Sequence, residues 1–333
     1  MAKTETEIEI KKIEAGGNNS RFSELFLKCF RQEKDTSYFQ WKYFDNPAGQ
    51  IVGYEAIAKG KTVGSFGATP EYYTLNGEKI KVFLCAEAMV SPRFWGKKLF
   101  EQMAIKLQED VSNKKEKTFI IGFPNKLSYV ELVNNLNWQT VIKDCNYTFI
   151  LRQYFRIRYP FLSSKAEILK FTNVNEDLVK YFKSPVSHAP ISRSFDADTF
   201  QWKVFENQKN KYNVIGIKNG DEVLGICVYR KDTEKTCEIS YVNFWDASHY
   251  KKYLPLFVKH ILSENQVRYV YTWKSSKGVL ADAYKSTGFM VNSFSKGPFR
   301  DTFPIIVYKK DGVLPIDITD FDNYEAQPIQ LDY

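Results

Sequence analysis

The chain has 333 residues, of which 44% are hydrophobic and 16% aromatic, enough for two packed domains of about 150 residues each. Its 47 basic and 39 acidic residues give a net charge of +8. No Lys/Arg block suited to a nucleic-acid tail occurs, which argues against a nucleic-acid partner. The five cysteines are far apart and form no CxxC or Cys/His cluster, so neither a disulfide framework nor a metal site is indicated.

The beginning of the sequence carries charge throughout and lacks the apolar core of a signal peptide. No run of about 18 apolar residues occurs anywhere, so no membrane span is predicted. We therefore expect a cytoplasmic protein.

The first half of the chain predicts strands and helices in alternation. Predicted in order are a strand over 6–13, a turn at Gly16-Gly17, a helix capped by Ser20, a hairpin of 52–58 and 62–75, a strand over 79–90, a buried strand over 118–125, a helix over 127–136 and two closing strands within 140–151. Two-residue Lys59-Gly60 and Asn76-Gly77 turns join the strands of the meander.

An aromatic segment, Tyr38–Phe44, lies between the first helix and the hairpin. Its density of rings fits a helix that covers the core, because buried aromatic side chains mostly serve packing. The alternative is that Trp41 and its neighbours form the wall of a pocket for an acceptor substrate.

The stretch Phe83–Leu107 predicts a strand, a tight loop and a helix. An apolar run ends at Ser91-Pro92, a Gly-containing loop follows, and Leu99, Met103, Leu107 and Val111 are then spaced four apart. A helix that begins after such a loop directs unpaired N–H groups and a positive dipole end at one point, which suits a phosphate. The alternative is an ordinary connection that binds nothing.

The second half of the chain repeats the first. Phe39-Gln40-Trp41-Lys42-Tyr43-Phe44 recurs as Phe200-Gln201-Trp202-Lys203-Val204-Phe205 with five of six residues identical. A predicted hairpin, a helix and a buried strand follow the second copy in a similar order. We therefore predict three segments: a first domain over 1–152, a basic linker and helix over 153–187, and a second domain over 188–333.

The order of elements over residues 5–152 resembles the GNAT acyltransferase superfamily. Val90-Ser91-Pro92 matches the end of that family's fourth strand, and Trp95–Phe100 stands where the family has Arg-Gly-x-Gly-x-Gly/Ala. Trp95 replaces the usual Arg, and Lys98 replaces the more important Gly. A lysine at that position either crowds the approach of a phosphate or binds it with its own charge.

The resemblance implies two GNAT-like α+β or α/β domains, each with a twisted, mainly antiparallel mixed sheet flanked by helices. It also implies acetyl-CoA or another acyl-CoA as co-substrate, no metal, and a strand edge for the pantetheine arm. The implied cofactor-binding residues are Met89, Val90, Trp95, Gly96, Lys97, Lys98, Leu99, Phe100 and Asn125.

Glu87 is the candidate general base, because it is the one carboxylate in its apolar strand and matches the family's acidic position five residues ahead of Pro92. Apolar surroundings would raise its pKa, as a base working near neutral pH requires. The alternative is that Glu87 faces solvent or pairs with a lysine. The family's tyrosine acid is missing at Val133, and Tyr129, one turn earlier, is the candidate substitute.

The second copy keeps a tyrosine at the matching place, Tyr284, but its loop Asn243–Ser248 has no glycine and carries Asp246. We expect this copy to bind no CoA and to help hold the acceptor. Candidate substrate-binding residues are Trp41, Phe123, Trp202 and Tyr284.

The sequence therefore favours an acyl-CoA-dependent N-acyltransferase acting on the amine of a small molecule or amino sugar. Two alternatives stay open: a GNAT-shaped binding or scaffold protein, and an aminoacyl transferase similar to the Fem-type enzymes, for which salt-sensitive RNA binding would be the sign.

Overall fold

The computed structural model describes residues 7–15, 18–114, 116–183, 187–293, 297–299, 301–309 and 314–330. The chain divides into two units. Unit 1 comprises Met1–Tyr72, Ile80–Val141 and Pro304–Pro315, and unit 2 comprises Tyr73–Lys79, Ile142–Phe303 and Ile316–Tyr333. Each unit contains a mixed, mainly antiparallel sheet with helices, which confirms the predicted fold class. The predicted turn at Gly16-Gly17 lies outside the described residues.

The first part of the chain forms four helices and seven strands. They are β1 (Ile8–Lys12), α1 (Ser20–Phe30), α2 (Thr36–Phe39), β2 (Val52–Ala58), β3 (Lys61–Leu75), β4 (Glu78–Cys85), β5 (Met89–Val90), α3 (Leu99–Ser112), β6 (Ile120–Gly122), α4 (Lys126–Asn135) and β7 (Gln139–Cys145). The helix α1 begins one residue earlier than predicted: Asn19 is its N-cap, and Ser20 donates its backbone N–H to Asn18 Oδ1.

The remaining chain forms five helices and ten strands. They are β8 (Tyr147–Leu151), α5 (Arg152–Arg158), β9 (Glu167–Phe171), α6 (Glu176–Phe182), β10 (Ile191–Arg193), α7 (Ala197–Phe200), β11 (Asn213–Asn219), β12 (Glu222–Thr233), β13 (Thr236–Phe244), α8 (Ala247–Asn265), β14 (Tyr269–Trp273), α9 (Val279–Thr287), β15 (Met290–Val291), β16 (Phe303–Tyr308) and β17 (Tyr324–Glu325). Both counts refer to the described residues.

The unit 1 sheet has the strand order β1-β2-β3-β4-β6-β16-β7. Its hairpin turns have positive φ at both central residues, with Lys59 at 50° and Gly60 at 71°, as the right-handed strand twist requires. The predicted four-residue spacing on α3 is confirmed, since Leu99, Met103 and Leu107 are all buried in the core of this unit.

The unit 2 sheet has the strand order β15-β8-β14-β13-β12-β11-β9. Only β13 and β14 run parallel among its described pairs. Its core lies between this sheet and α8 and α9, where Phe244 stacks on Phe257 with ring centroids 5.4 Å apart.

Two strands, β8 and β16, pair in a different sheet from the one that the contiguous domain prediction implies. The strand β8 pairs with β14 in unit 2, although 140–151 was expected to close the first sheet. The strand β16 pairs with β6 in unit 1, with Ile306 opposite Gly122. Apolar strands of similar composition fit either sheet, so local sequence pattern does not specify which sheet they join.

The repeated sequence motif folds identically in both units. Each copy is a short α-helix that passes into a π-helix, Gln40–Phe44 in unit 1 and Gln201–Phe205 in unit 2. The side chain of Gln40 donates to Asp45 (2.7 Å), and that of Gln201 donates to Glu206 (3.0 Å). The internal repeat is therefore a repeat of backbone conformation as well as of sequence.

We predict that Gly225→Ala destabilises unit 2. A Cβ at this residue of β12 would lie 2.0 Å from Cδ1 of the buried Phe244 ring. Overpacking of this kind costs roughly 1–3 kcal/mol of unfolding free energy. Urea denaturation measures the change. The control Glu222→Ala, exposed on the same strand, should change the value by less than about 0.5 kcal/mol, and an equally small effect at Gly225 would contradict this packing.

Candidate active site

The loop between β5 and α3 has the backbone geometry of a glycine-rich turn, although it contains one glycine. Gly96 has φ 80° and Lys98 has φ 55°, in the left-handed region. This conformation costs a non-glycine residue about 1–2 kcal/mol. Lys98 therefore adopts a backbone conformation that glycine reaches without this cost.

The first N–H groups of α3 lie at this loop. Lys98 is the N-cap residue, and no side chain caps this 14-residue helix. The Lys98 side chain is 76% exposed, with its ammonium 3.9 Å from Glu101 Oε2. Because the side chain extends into solvent, it leaves the approach to the helix N-terminus open and adds a positive charge beside it.

The strands β4 and β6, which come before and after this loop and α3 in the sequence, separate after a short paired stretch. The strands β4 and β6 pair in parallel only at Phe83–Ile120 and Leu84–Ile121. Beyond them the chain turns to pair β5 with Gly64 and Ser65 of β3. The separation leaves an edge along residues 86–90, the feature that the resemblance implies for a pantetheine arm.

The last residue of this edge is already hydrogen-bonded. The carbonyl of Val90 accepts from the Trp95 indole at 2.9 Å. The Val90 backbone also forms a hydrogen bond with the Cys29 thiol. Burial raises the pKa of this thiol by more than the hydrogen bond lowers it. Since Trp95 is 69% exposed, its indole is a surface group that a ligand can displace.

Glu87 lies at the break between β4 and β5 and is held by three donors. Lys42 Nζ donates to Oε1 at 2.7 Å, Tyr38 Oη to Oε1 at 2.6 Å, and Tyr43 Oη to Oε2 at 3.0 Å. The side chains of Lys42 and Glu87 are 5% and 12% exposed. All three donors come from the aromatic segment, α2 and its π-helix.

The expected rise in the pKa of Glu87 is wrong. Burial raises it, but the charge of Lys42 and the hydrogen bonds from Lys42 and Tyr38 outweigh burial, so the pKa is lowered. Glu87 is thus a buried carboxylate that stays ionised, as in the lysine-paired alternative. Burial and then the Glu87 charge raise the pKa of Tyr43, which keeps its proton.

The side-chain donors engage the two oxygens of the carboxylate unequally. A carboxylate offers about four acceptor positions, and these three side chains donate two hydrogen bonds to Oε1 and one to Oε2. Lys42 and the two tyrosines were not predicted as site residues. The sequence feature that could have identified Lys42 is a lysine within an aromatic segment, and it recurs in the second copy as the fully buried Lys203.

The structure places the other two candidates of the first copy in local hydrogen bonds. Tyr129 Oη lies 2.9 Å from Thr140 Oγ1, so Tyr129 and Glu87 belong to separate networks. Asn125 caps α4, with its Oδ1 accepting from the backbone N–H groups of Leu127 and Ser128. Asn125 therefore has a structural function whatever else it contacts.

The predicted substrate-binding aromatics are mostly buried. Trp41 is 5%, Trp202 3% and Tyr284 3% exposed, while Phe123 is half-buried after β6. Burial raises the pKa of Tyr284 well above its usual value. This burial favours packing over contact with a ligand, so the expectation that Trp202 and Tyr284 face an acceptor lacks structural support.

The corresponding loop of unit 2 is built differently. Asp246 is the N-cap of α8, and its Oδ1 accepts from the Ser248 N–H at 2.7 Å. A carboxylate therefore occupies the helix N-terminus where an anion would otherwise bind. Among the described residues, no group of three or more His, Cys, Asp or Glu could hold a metal ion, and no helix is long and apolar enough to cross a membrane.

Comparisons with known proteins bear on this geometry. A family model described as an acetyltransferase (GNAT) domain matches residues 10–141, less than half of the chain. A tandem GNAT protein from the clavulanic acid biosynthesis pathway covers 91% of this chain and 98% of its own, with 9% identity and a TM-score of 0.56. Residues 10–141 are therefore similar to a GNAT acetyltransferase domain, and the chain shares the fold of a tandem GNAT protein.

Two further solved structures resemble the fold of this chain. A protein of Enterococcus faecalis described as a probable N-acyltransferase has 14% identity and a TM-score of 0.67, covering 91% of this chain and 72% of its own. The N-myristoyltransferase of Saccharomyces cerevisiae with bound myristoyl-CoA has 12% identity and a TM-score of 0.57, covering 97% of this chain and 83% of its own. A sequence search of curated proteins gives no match.

We predict strong coupling between Lys42 and Glu87. Lys42→Met should lower the unfolding free energy at neutral pH by roughly 3–5 kcal/mol, because it leaves a buried carboxylate without its cation. Lys42→Met combined with Glu87→Gln should cost less than the two single changes together. The exposed pair Lys28–Glu24 at 3.7 Å, changed in the same way, should show coupling below about 1 kcal/mol. Additive costs at Lys42 and Glu87 would contradict the buried pair.

The same pair predicts a pH dependence of stability. Because the folded-state pKa of Glu87 lies below its ordinary value of 4.5, the stabilisation is present above 4.5 and is lost as the pH falls through the folded value. Acid denaturation should be shallower for the doubly substituted protein than for the wild type. If the doubly substituted protein loses stability in acid as steeply as the wild type, carboxylates other than Glu87 determine the acid denaturation.

Proposed function

We propose that the protein is an acyl-CoA-dependent N-acyltransferase whose cofactor site lies in unit 1. The observation that carries the proposal is the left-handed backbone of Lys98 at the N-terminus of α3, beside strands that separate after two paired positions. The match of residues 10–141 to an acetyltransferase (GNAT) domain supports this use of the loop. In the proposal, the pyrophosphate lies against the first N–H groups of α3, with Lys98 as a mobile counter-charge.

In the proposed reaction the amine nitrogen attacks the thioester carbonyl, a C–N bond forms, and the C–S bond breaks to release the CoA thiolate. Glu87 accepts the proton that the amine loses, directly or through a water molecule. Its lowered pKa makes Glu87 a weak base, but it keeps the carboxylate charged and able to attract an ammonium. Tyr129 stays the candidate donor to the thiolate.

Acyl-CoA binding should raise the melting temperature. A ligand that binds only the folded state adds about 2.7 kcal/mol at 100 times its Kd. We expect a shift with at least one member of a series from acetyl-CoA to myristoyl-CoA. Lys98→Ala should weaken binding and reduce its salt dependence, whereas Lys106→Ala, farther along the same helix, should not. No shift with any acyl-CoA would contradict the proposed site.

Glu87→Gln should lower kcat by roughly 10²–10⁴-fold with CoA affinity nearly unchanged. The assay is release of free thiol from the acyl-CoA that shifts the melting temperature, against a panel of small amines and amino sugars. Glu87→Asp, which keeps the charge, should retain more activity than Glu87→Gln. Wild-type turnover by Glu87→Gln would show that another group accepts the proton.

A second candidate function is a GNAT-shaped binding protein without turnover. The observation that favours it is the engagement of Glu87 by three donors and of Tyr129 by Thr140. It predicts a thermal shift with acyl-CoA and no thiol release with any amine.

A further inference from the structure

Unit 2 carries a group of large apolar side chains that face solvent. They are Tyr154 (39% exposed), Ile157 (78%), Phe161 (91%), Met290 (36%) and Val291 (56%). The segment from Tyr154 to Phe161 includes most of α5, and Met290 and Val291 form β15. Exposed apolar patches of this kind usually mark an interaction site.

Contacts join the α5 segment to the residues just before β15. A Cβ on Gly288, two residues before β15, would lie 2.9 Å from Arg158 Cδ and 3.0 Å from Tyr154 Cε1. Arg158 also donates to the carbonyl of Ser286 at 2.8 Å. The strand β15 is an edge strand that pairs with β8 on one side. The exposed apolar side chains of residues 154–161, here called the apolar patch, therefore lie near the edge of the unit 2 sheet.

The patch is surrounded by cations. Residues 152–165 contain Arg152, Arg156, Arg158 and Lys165 and no acidic residue. Lys259 joins them, since its Nζ donates to the carbonyl of Leu162 at 2.7 Å. The neighbouring α9 carries one acid and one base, Asp282 and Lys285, and adds no net charge. The surface is thus apolar and strongly positive at once.

A groove of ≈ 270 Å³ lies beside the apolar side chains. It is lined by Arg152, Phe155, Arg156, Tyr159 and Lys259, among others. Arg152 donates through Nη2 to the carbonyl of Leu262, and its buried Nε has no hydrogen-bond partner among the described residues. A groove with two guanidinium groups and an ammonium suits a phosphate group.

We propose that this surface docks the protein onto a membrane rich in anionic phospholipid. The groove takes a lipid phosphate, the surrounding cations face the charged headgroups, and Ile157 and Phe161 insert into the acyl boundary. A lipid surface fits this chemistry, because Ile157 and Phe161 are 78% and 91% exposed within a segment, 152–165, that has cations and no acidic residue, and anionic headgroups supply the complementary charge.

Vesicle flotation with the full chain tests the proposal. We expect binding to vesicles of equal parts phosphatidylcholine and phosphatidylglycerol, weakening as salt is raised, and little binding to phosphatidylcholine alone. Ile157→Ser with Phe161→Ser should weaken binding at least tenfold. The control Leu127→Ser, 83% exposed in unit 1, should bind like the wild type.

A second pair of variants tests the charge. Arg156→Gln with Lys165→Gln should weaken binding by roughly a factor of five per cation removed. The matched control, Lys235→Gln with Lys251→Gln, removes two exposed lysines of unit 2 outside this surface and should have a much smaller effect. Since all seven side chains substituted in the two sets of variants are exposed, their replacement should leave the melting temperature unchanged.

Four results would overturn the proposal. They are absence of binding to anionic vesicles, equal binding to neutral ones, a dimer in sedimentation that Ile157→Ser with Phe161→Ser dissociates, and salt-sensitive RNA binding that those two changes leave intact. The third result would assign the patch to a second copy of the chain, and the fourth would assign the cations to nucleic acid.

Discussion

The ion pair between Lys42 and Glu87 is the interaction on which the candidate site depends. It joins the π-helix to the break between β4 and β5 across 45 residues of sequence, at 2.7 Å. Neither charge is stable alone in this buried position, because an unpaired buried ion costs several kcal/mol. The pair therefore requires the helix, the break and the two tyrosines to form together, and it fixes the carboxylate beside the edge proposed for the cofactor.

The two units keep the same supporting element and differ in the loop that would bind an anion. Each has a π-helix with a buried lysine, Lys42 or Lys203. In unit 1 the helix after the loop begins at an uncapped, left-handed Lys98, whereas in unit 2 Asp246 caps it with a carboxylate. The first arrangement attracts a phosphate and the second repels one. The two copies thus share the π-helix and differ in the loop before the next helix. For this reason we propose cofactor binding for unit 1 alone.

Much of the fold could be predicted because its signals are local. The spacing on α3, the Asn76-Gly77 turn and the repeated Phe-Gln-Trp-Lys segment each depend on residues close in sequence. The position of Lys98 could also be predicted, but its left-handed conformation could not, because lysine rarely adopts it. The sign of the Glu87 pKa shift depends on a partner 45 residues away, and the assignment of β8 and β16 depends on tertiary pairing. The burial of Trp202 and Tyr284 could not be predicted either, because an aromatic residue suits a core and a pocket equally.

Titration calorimetry of CoA into the intact chain tests whether unit 1 alone provides the proposed CoA site. We expect one CoA per chain, with binding that weakens as salt is raised and is reduced in Lys98→Ala. A stoichiometry of two, or a single site unaffected by Lys98→Ala, would contradict this proposal.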